Sequence, residues 1–170
     1  QTMKMSVVYF SASGNTHKMA ECIVAGANSV EGVEAKAFPI DAIDEAFGKE
    51  SKCIILGCPT YAADTPADFH VWLEKGFRAL EPAGKLGGAF STAQFTHGGD
   101  ELVIQTIMAH MLVSGMMVYA SGGAKGRPVI HLGPVAIATA GNDEMLEPYK
   151  ETFTIYGQRM AEQAVATFGA

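Results

Sequence analysis

Residues Cys53, Ile54, Ile55, Leu56 and Gly57 form an apolar run that has no polar side and stops at Pro59. Such a run reads as a central parallel strand covered on both faces, and a parallel strand needs long crossover connections, usually helices. The rest of the sequence supplies them in alternation. Residues 4–10 are a β-branched and aromatic run, 11–15 a polar loop, and 16–27 place Met19, Ala20, Ile23 and Val24 at helical spacing. Residues 33–40 alternate as a second strand, and 41–47, with Ile43, Ala46 and Phe47, read as a short helix. Beyond the apolar run, Thr65 is placed to cap a helix that opens on Pro66, carries Asp68 in its first turn and runs to Leu80. Residues 86–91 read as a fourth strand and 100–114 as a helix with Val103, Ile107 and Met111 on one stripe, stopped by Gly115. A fifth strand begins at 116–119. The Gly- and Pro-rich stretch 121–134 reads as an inserted loop before 135–139 resume the extended pattern, and a last helix covers 148–168.

Five strands alternating with five helices predict an α/β fold with right-handed crossovers, a parallel sheet and helices on both sides. Ligands of such sheets bind outside the C-terminal strand ends, which singles out the loops 11–16, 59–65 and 92–99. With 170 residues and no composition break, one domain spanning 1–170 is expected. Hydrophobic residues make up 48% and charged residues 18%, which reads as extra buried strand and room for a subunit interface in a homo-oligomer. A net charge of −6 without a Lys/Arg run predicts neither nucleic acid nor an anionic membrane as partner. The longest apolar runs are too short to span a bilayer, and the first residues lack a signal-peptide layout, so a cytoplasmic protein is expected. Cys22, Cys53 and Cys58 are odd in number and lack CxxC spacing; Cys53 and Cys58, five apart on one strand, should point to opposite faces as reduced, packed thiols. His17, His70, His97, His110 and His131 are never within five residues of one another, so helix-spaced metal ligation is not indicated and no metal is expected.

The first loop reads Ser11, Ala12, Ser13, Gly14, Asn15, Thr16 between an apolar strand and a helix. Backbone amides at a helix N-terminus, together with hydroxyls and the helix dipole, hold a dianionic monoester without Arg or Lys, and Gly14 permits a tight approach. A capped βα turn with no ligand is the other reading. The loop lacks the GK[ST] of a nucleoside triphosphate loop and the GxGxxG of a dinucleotide fingerprint, which leaves a mononucleotide phosphate as the better fit.

This loop, followed by His17, Lys18, Met19, Ala20 and Glu21, resembles the phosphate loop of the flavodoxin family. The resemblance implies FMN as cofactor, its phosphate held by Ser11, Ala12, Ser13, Gly14, Asn15 and Thr16, and a three-layer fold with strand order 2-1-3-4-5. The second loop, Pro59, Thr60, Tyr61, Ala62, Ala63, Asp64, resembles a flavin ledge. There Tyr61 either stacks on the ring or sits at the rim, nearby backbone groups reach the N5 edge, and Asp64 reads equally as a cap or surface charge. The third loop runs through Thr92, Ala93, Gln94, Phe95, Thr96, His97, Gly98 and Gly99 into a helix and a later Gly115-Met116. With Pro59-Thr60 and Gly133-Pro134, it resembles the tryptophan-repressor-binding-protein group of NAD(P)H:quinone oxidoreductases. That group implies that Thr92, Ala93, Gln94, Gly98 and Gly99 meet the flavin's pyrimidine end, and it implies a tetramer. His97 reads either as a donor to charge developing on flavin or quinone, and so as the catalytic candidate, or as a backbone-bonding loop histidine. The group's His-His before the Gly-Met pair is replaced here by Val113-Ser114.

In carrier flavodoxins a loop glycine makes positive φ affordable for the peptide beside N5, and no Gly occurs in 59–65. An Ala in left-handed backbone costs roughly 1–2 kcal/mol, which disfavours one-electron chemistry. The expectation is therefore hydride transfer from NAD(P)H to FMN and onward two-electron reduction of a quinone. The alternatives are a flavodoxin-type one-electron carrier serving a redox partner protein, and a non-catalytic FMN-binding partner protein.

Overall fold

The apolar run lands where its composition requires. In the computed structural model, which describes residues 2–169, β3 (Cys53–Pro59) is buried from Cys53 to Cys58. It pairs in parallel with β1 (Met3–Tyr9) on one side and β4 (Leu86–Ala93) on the other. β2 (Val33–Pro39) forms the edge beside β1, so the order is β2-β1-β3-β4-β5. The fifth lane is split. β5 (Met117–Val118) pairs with Leu86 and Gly87, and an additional strand, β6 (Val135–Ile137), pairs farther along with Ser91, Thr92 and Ala93. The chain between them is the predicted insertion, pinned by the buried Arg159, which donates to Pro128 O (2.7 Å) and Ser121 Oγ (3.2 Å).

Period-two alternation divides the sheet's side chains between two cores. Val7, Ile55 and Phe90 face α1 (Asn15–Asn28) and α5 (Asp143–Phe168), where Met19, Ile23, Phe153 and Tyr156 pack. Val8, Ile54 and Leu56 face α3 (Ala67–Lys75) and α4 (Asp100–Val113), where Phe69, Leu73, Ile107 and Met111 pack. Cys53 lies in the first core and Cys58 in the second, as their spacing required, and burial pushes both thiols up. No helix among the described residues is long and apolar enough to cross a membrane.

Helix ends depart from expectation where a side-chain cap outweighs hydrophobic spacing. The second helix is α2 (Glu45–Glu50) rather than 41–47, because Asp44 accepts from Phe47 N at 3.0 Å and fixes the start there. Thr65 does not cap α3: Pro66 precedes the helix without a side-chain bond, and Thr65 Oγ1 pairs instead with His70 Nδ1 at 2.9 Å. That helix stops at Lys75, and a separate 3-10 turn covers Phe77–Leu80. The last helix starts five residues earlier than its predicted Pro148, since Asn142 accepts from Met145 N at 3.1 Å. Pro148 falls in the second turn of that helix, where its missing amide leaves the Glu144 carbonyl without its intrahelical partner.

Candidate functional site

The loops leaving β1, β3, β4 and β6 meet at the C-terminal edge of the sheet around a cleft of about 150 Å3. The first loop gives Ser13 and Asn15, the second Pro59, Thr60 and Tyr61, and the third Thr92, Ala93 and Gln94. The segment after β6 adds Ala138 and Ala140, which sequence reasoning did not single out. A wider hollow of about 730 Å3 lies at the opposite end of the strands, between Lys4, Lys52 and Phe168, away from the crevice where such sheets bind ligands.

Gly14 turns the chain into α1 with φ 99° and, as the N-cap residue, has no side chain to offer the helix. Ser11 Oγ accepts from the amides of Gly14 (3.2 Å) and His17 (3.3 Å), and Gly14 O from Lys18 N (3.0 Å). The amides of Ser13, Asn15 and Thr16 are taken by none of these acceptors and stand at the positive end of the helix. The side chains of Asn15 and Thr16 are spent elsewhere. Thr16 Oγ1 pairs with Thr92 Oγ1 at 2.9 Å, while Asn15 Nδ2 donates to Thr139 O (3.0 Å) and Asn15 Oδ1 accepts from Gly141 N (3.2 Å). What this loop presents to an anion is therefore backbone, with the exposed Ala12 and Ser13 at its tip. Beside it the His17 ring stacks on Tyr9 at 5.2 Å and pairs with Glu21.

The second loop overturns the expectation that alanines avoid left-handed backbone there. Ala62 has φ 49° and Ala63 φ 64°. Tyr61 N donates to Asp64 O (2.9 Å) and Asp64 N to Tyr61 O (3.0 Å), closing a two-residue turn with the positive-φ pair of type I′. The surroundings hold that strain in place. Asp64 Oδ1 accepts from Thr65 N and from Thr106 Oγ1 of α4, each at 2.8 Å, and Thr65 is tied to His70 of α3. Gly99, with φ 101°, backs directly onto the turn: a Cβ there would lie 2.5 Å from Ala63 Cα. Thr60 binds the third loop through its amide and hydroxyl, both to Thr92 O, at 2.9 and 3.0 Å. Tyr61 remains 46% exposed, its ring edge-on to Phe10 at 6.5 Å, and forms the outer wall.

In the third loop Thr92 and Ala93 are buried, and Gln94 to His97 are exposed. Gly98 N returns to Phe95 O at 3.1 Å, which leaves the Phe95 ring 72% in solvent. Ala62, Ala63, Asp64, His97, Gly98 and Gly99 flank the cleft without lining it. Forty residues apart in sequence, His70 and His110 meet edge to face at 5.3 Å behind the second loop. Burial, and then the His70 charge, lower the His110 pKa.

Residues 7–96 match the family model described as Flavodoxin. A flavodoxin of Clostridium saccharobutylicum is 37% identical over 166 residues, 98% of this chain and 100% of its own. An NAD(P)H dehydrogenase (quinone) of Geotalea daltonii is 28% identical over 145 residues, 68% of this chain and 70% of its own. Among solved structures, the flavodoxin, WrbA-like protein of Agrobacterium tumefaciens superimposes with a TM-score of 0.76, covering 97% of this chain and 99% of its own at 24% identity. That last likeness is one of fold.

Proposed function

The chain belongs to the flavodoxin family, and on that premise we propose that it binds FMN and works in electron transfer as a flavodoxin-type carrier. The observation that carries the reading is the meeting of four loops at one cleft beside a helix N-terminus whose Asn15 and Thr16 amides are unspent. The residues present fit the cofactor. The free amides of Ser13, Asn15 and Thr16 and the Ser13 hydroxyl suit a phosphate dianion with no cationic side chain, Ser11, Ala12 and Gly14 shaping the loop around it. Pro59, Thr60 and Tyr61 on one side and Thr92, Ala93 and Gln94 on the other suit the flat ring, with Ala62, Ala63, Asp64, Gly98 and Gly99 backing them. FMN, when bound, supplies the redox chemistry; the chain's part is to grip the phosphate, exclude water from one side of the ring and leave an edge open past Tyr61.

The carrier role displaces the expected quinone reductase because its main physical objection is gone. Left-handed backbone in the second loop is already present, on Ala62 and Ala63, and is held by Asp64 and Gly99. The full-length likeness to a flavodoxin supports the same choice. An FMN-dependent NAD(P)H:quinone oxidoreductase is the second reading, favoured by the partial likeness to an NAD(P)H dehydrogenase (quinone). Quenching of flavin fluorescence as FMN-free protein is titrated in tests the binding; undiminished fluorescence at excess protein refutes it. Anaerobic mixing of the loaded protein with NADH or NADPH then separates the roles. A carrier keeps its yellow colour until a reductase is added, whereas the enzyme bleaches directly and recovers on addition of benzoquinone. His97 is decisive only for the second reading, where His97→Ala slows quinone turnover more than it weakens FMN binding.

A further inference from the structure

We propose that Asn15 is a positioning residue whose side chain builds one wall of the cleft, the segment 138–141, while its backbone amide serves the phosphate. The inference rests on the FMN reading and deepens it. β6 is only three residues long, and past its end the chain keeps one more ladder bond, Ala138 N to Ala93 O at 2.9 Å. Thr139, Ala140 and Gly141 then run exposed, with Gly141 at φ 69°. Yet Ala138 and Ala140 line the cleft. The segment's own tie is a local turn, Asn142 N to Thr139 O at 3.1 Å, which bends it but does not fix it against the first loop. The cross-link comes from the far end of the sequence. The Asn15 side chain, 5% exposed, donates to Thr139 O at 3.0 Å and accepts from Gly141 N at 3.2 Å, bracketing Ala140 from both sides.

This geometry departs from what Asn15 does under the simplest reading of the loop, in which its side chain faces the phosphate. Both carboxamide atoms are engaged with backbone 124 and 126 residues away. Asn15 thus contributes an amide to the phosphate site and a strut to the ring site, and a change of the side chain acts on the ring wall first.

The test compares FMN with riboflavin, which shares the ring but lacks the phosphate, on the wild-type chain, Asn15→Ala, Asn15→Asp and Ser13→Ala. Asn15→Ala removes two hydrogen bonds and weakens riboflavin and FMN by the same factor, about tenfold or more. Asn15→Asp keeps an acceptor for Gly141 N but sets a carboxylate oxygen against Thr139 O, so its riboflavin affinity falls at least as far as that of Asn15→Ala. Ser13→Ala weakens FMN alone. In flavin-free Asn15→Ala, amide exchange at Gly141 accelerates while the strands β1 and β3 keep their protection, a readout that needs no ligand. Loss of FMN affinity with riboflavin affinity intact, or unchanged exchange at Gly141, overturns the strut. Wild-type protein that holds FMN with no measurable affinity for riboflavin also counts against it, since the ring wall then contributes too little. Wild-type protein that binds neither flavin sinks the FMN reading instead, and the exchange result still decides whether Asn15 orders the segment.

Discussion

Gly14 and Ala63 stand in left-handed backbone beside the same cleft, at φ 99° and 64°, and the chain reaches that geometry by different means. At the first loop the residue is a glycine with open space around it, so the turn is local and nearly strain-free. At the second loop two alanines in succession, Ala62 and Ala63, take the conformation at a cost of roughly 1–2 kcal/mol each. The strain persists because Asp64, Thr106, His70 and Gly99 over-determine the turn from two neighbouring helices and the third loop. One loop is written in its own residues; the other is written in its neighbours.

The largest expected effect comes from substituting the glycine that packs rather than the one that turns. Gly99→Ala puts a Cβ 2.5 Å from Ala63 Cα on a residue at φ 101°, and backbone, not a flexible side-chain tip, has to move. We expect a loss of about 3 kcal/mol or more in urea unfolding, and FMN affinity reduced by about a hundredfold or more as the second and third loops part. Gly14→Ala meets nothing within 4 Å and suffers the conformational strain alone, about 1–2 kcal/mol. Equal losses for the two variants would erase the distinction between a local turn and a packed one.

The same distinction decides what was legible in the sequence. The run Cys53–Gly57 announced a central strand, and the alternation around it announced the parallel sheet; both depend on burial patterns that the residues carry themselves. The turn from β1 into α1 was legible for the same reason, through Gly14 and the polar stretch ahead of a helix. The side chains of Asn15 and Thr16 are bound to Thr139, Gly141 and Thr92, contacts no local pattern encodes. The left-handed Ala62 and Ala63 were illegible because propensity argues against them and only the tertiary ties reverse it. Ala138 and Ala140 have no chemistry to announce a wall, and the pairing of His70 with His110 depends on how α3 lies against α4.

If neighbours impose the second turn, then relaxing it from within should help. Ala63→Gly removes the Cβ strain, offset in part by the greater freedom of glycine in the unfolded chain, for a net gain of about 0.5–1 kcal/mol. Asp64→Ala loses the bonds from Thr65 N and Thr106 Oγ1 and costs about 1 kcal/mol. In the double variant Asp64→Ala should cost less than it does alone, leaving the protein more stable than the two separate effects add up to, because the tie matters most when there is strain to hold. Strict additivity in a double-mutant cycle would mean that Asp64 does not restrain the turn.

The smallest effect is the dependence on acid, and it should fall mainly on one loop. Burial and His70 hold the His110 pKa below its usual 6.5, with Glu74 of α3 partly opposing them. The unfolded chain therefore takes up the proton first as pH drops through 6.5, and folding stability declines from there until the lowered folded-state pKa is reached. Above 6.5 the contribution is complete. His110 packs against His70, and His70 holds Thr65, so amide exchange at residues 62–65 should quicken between pH 7 and pH 5. The first loop is tied by Ser11, Asn15 and Thr16, whose side chains do not titrate in that range, and the His17 ring beside it meets Glu21 and Tyr9 rather than those ties, so its exchange should change less than that of residues 62–65. Replacing His110 by Gln should flatten the response of residues 62–65; a response that survives, or one that appears equally at residues 11–16, would place the acid sensitivity outside the histidine pair.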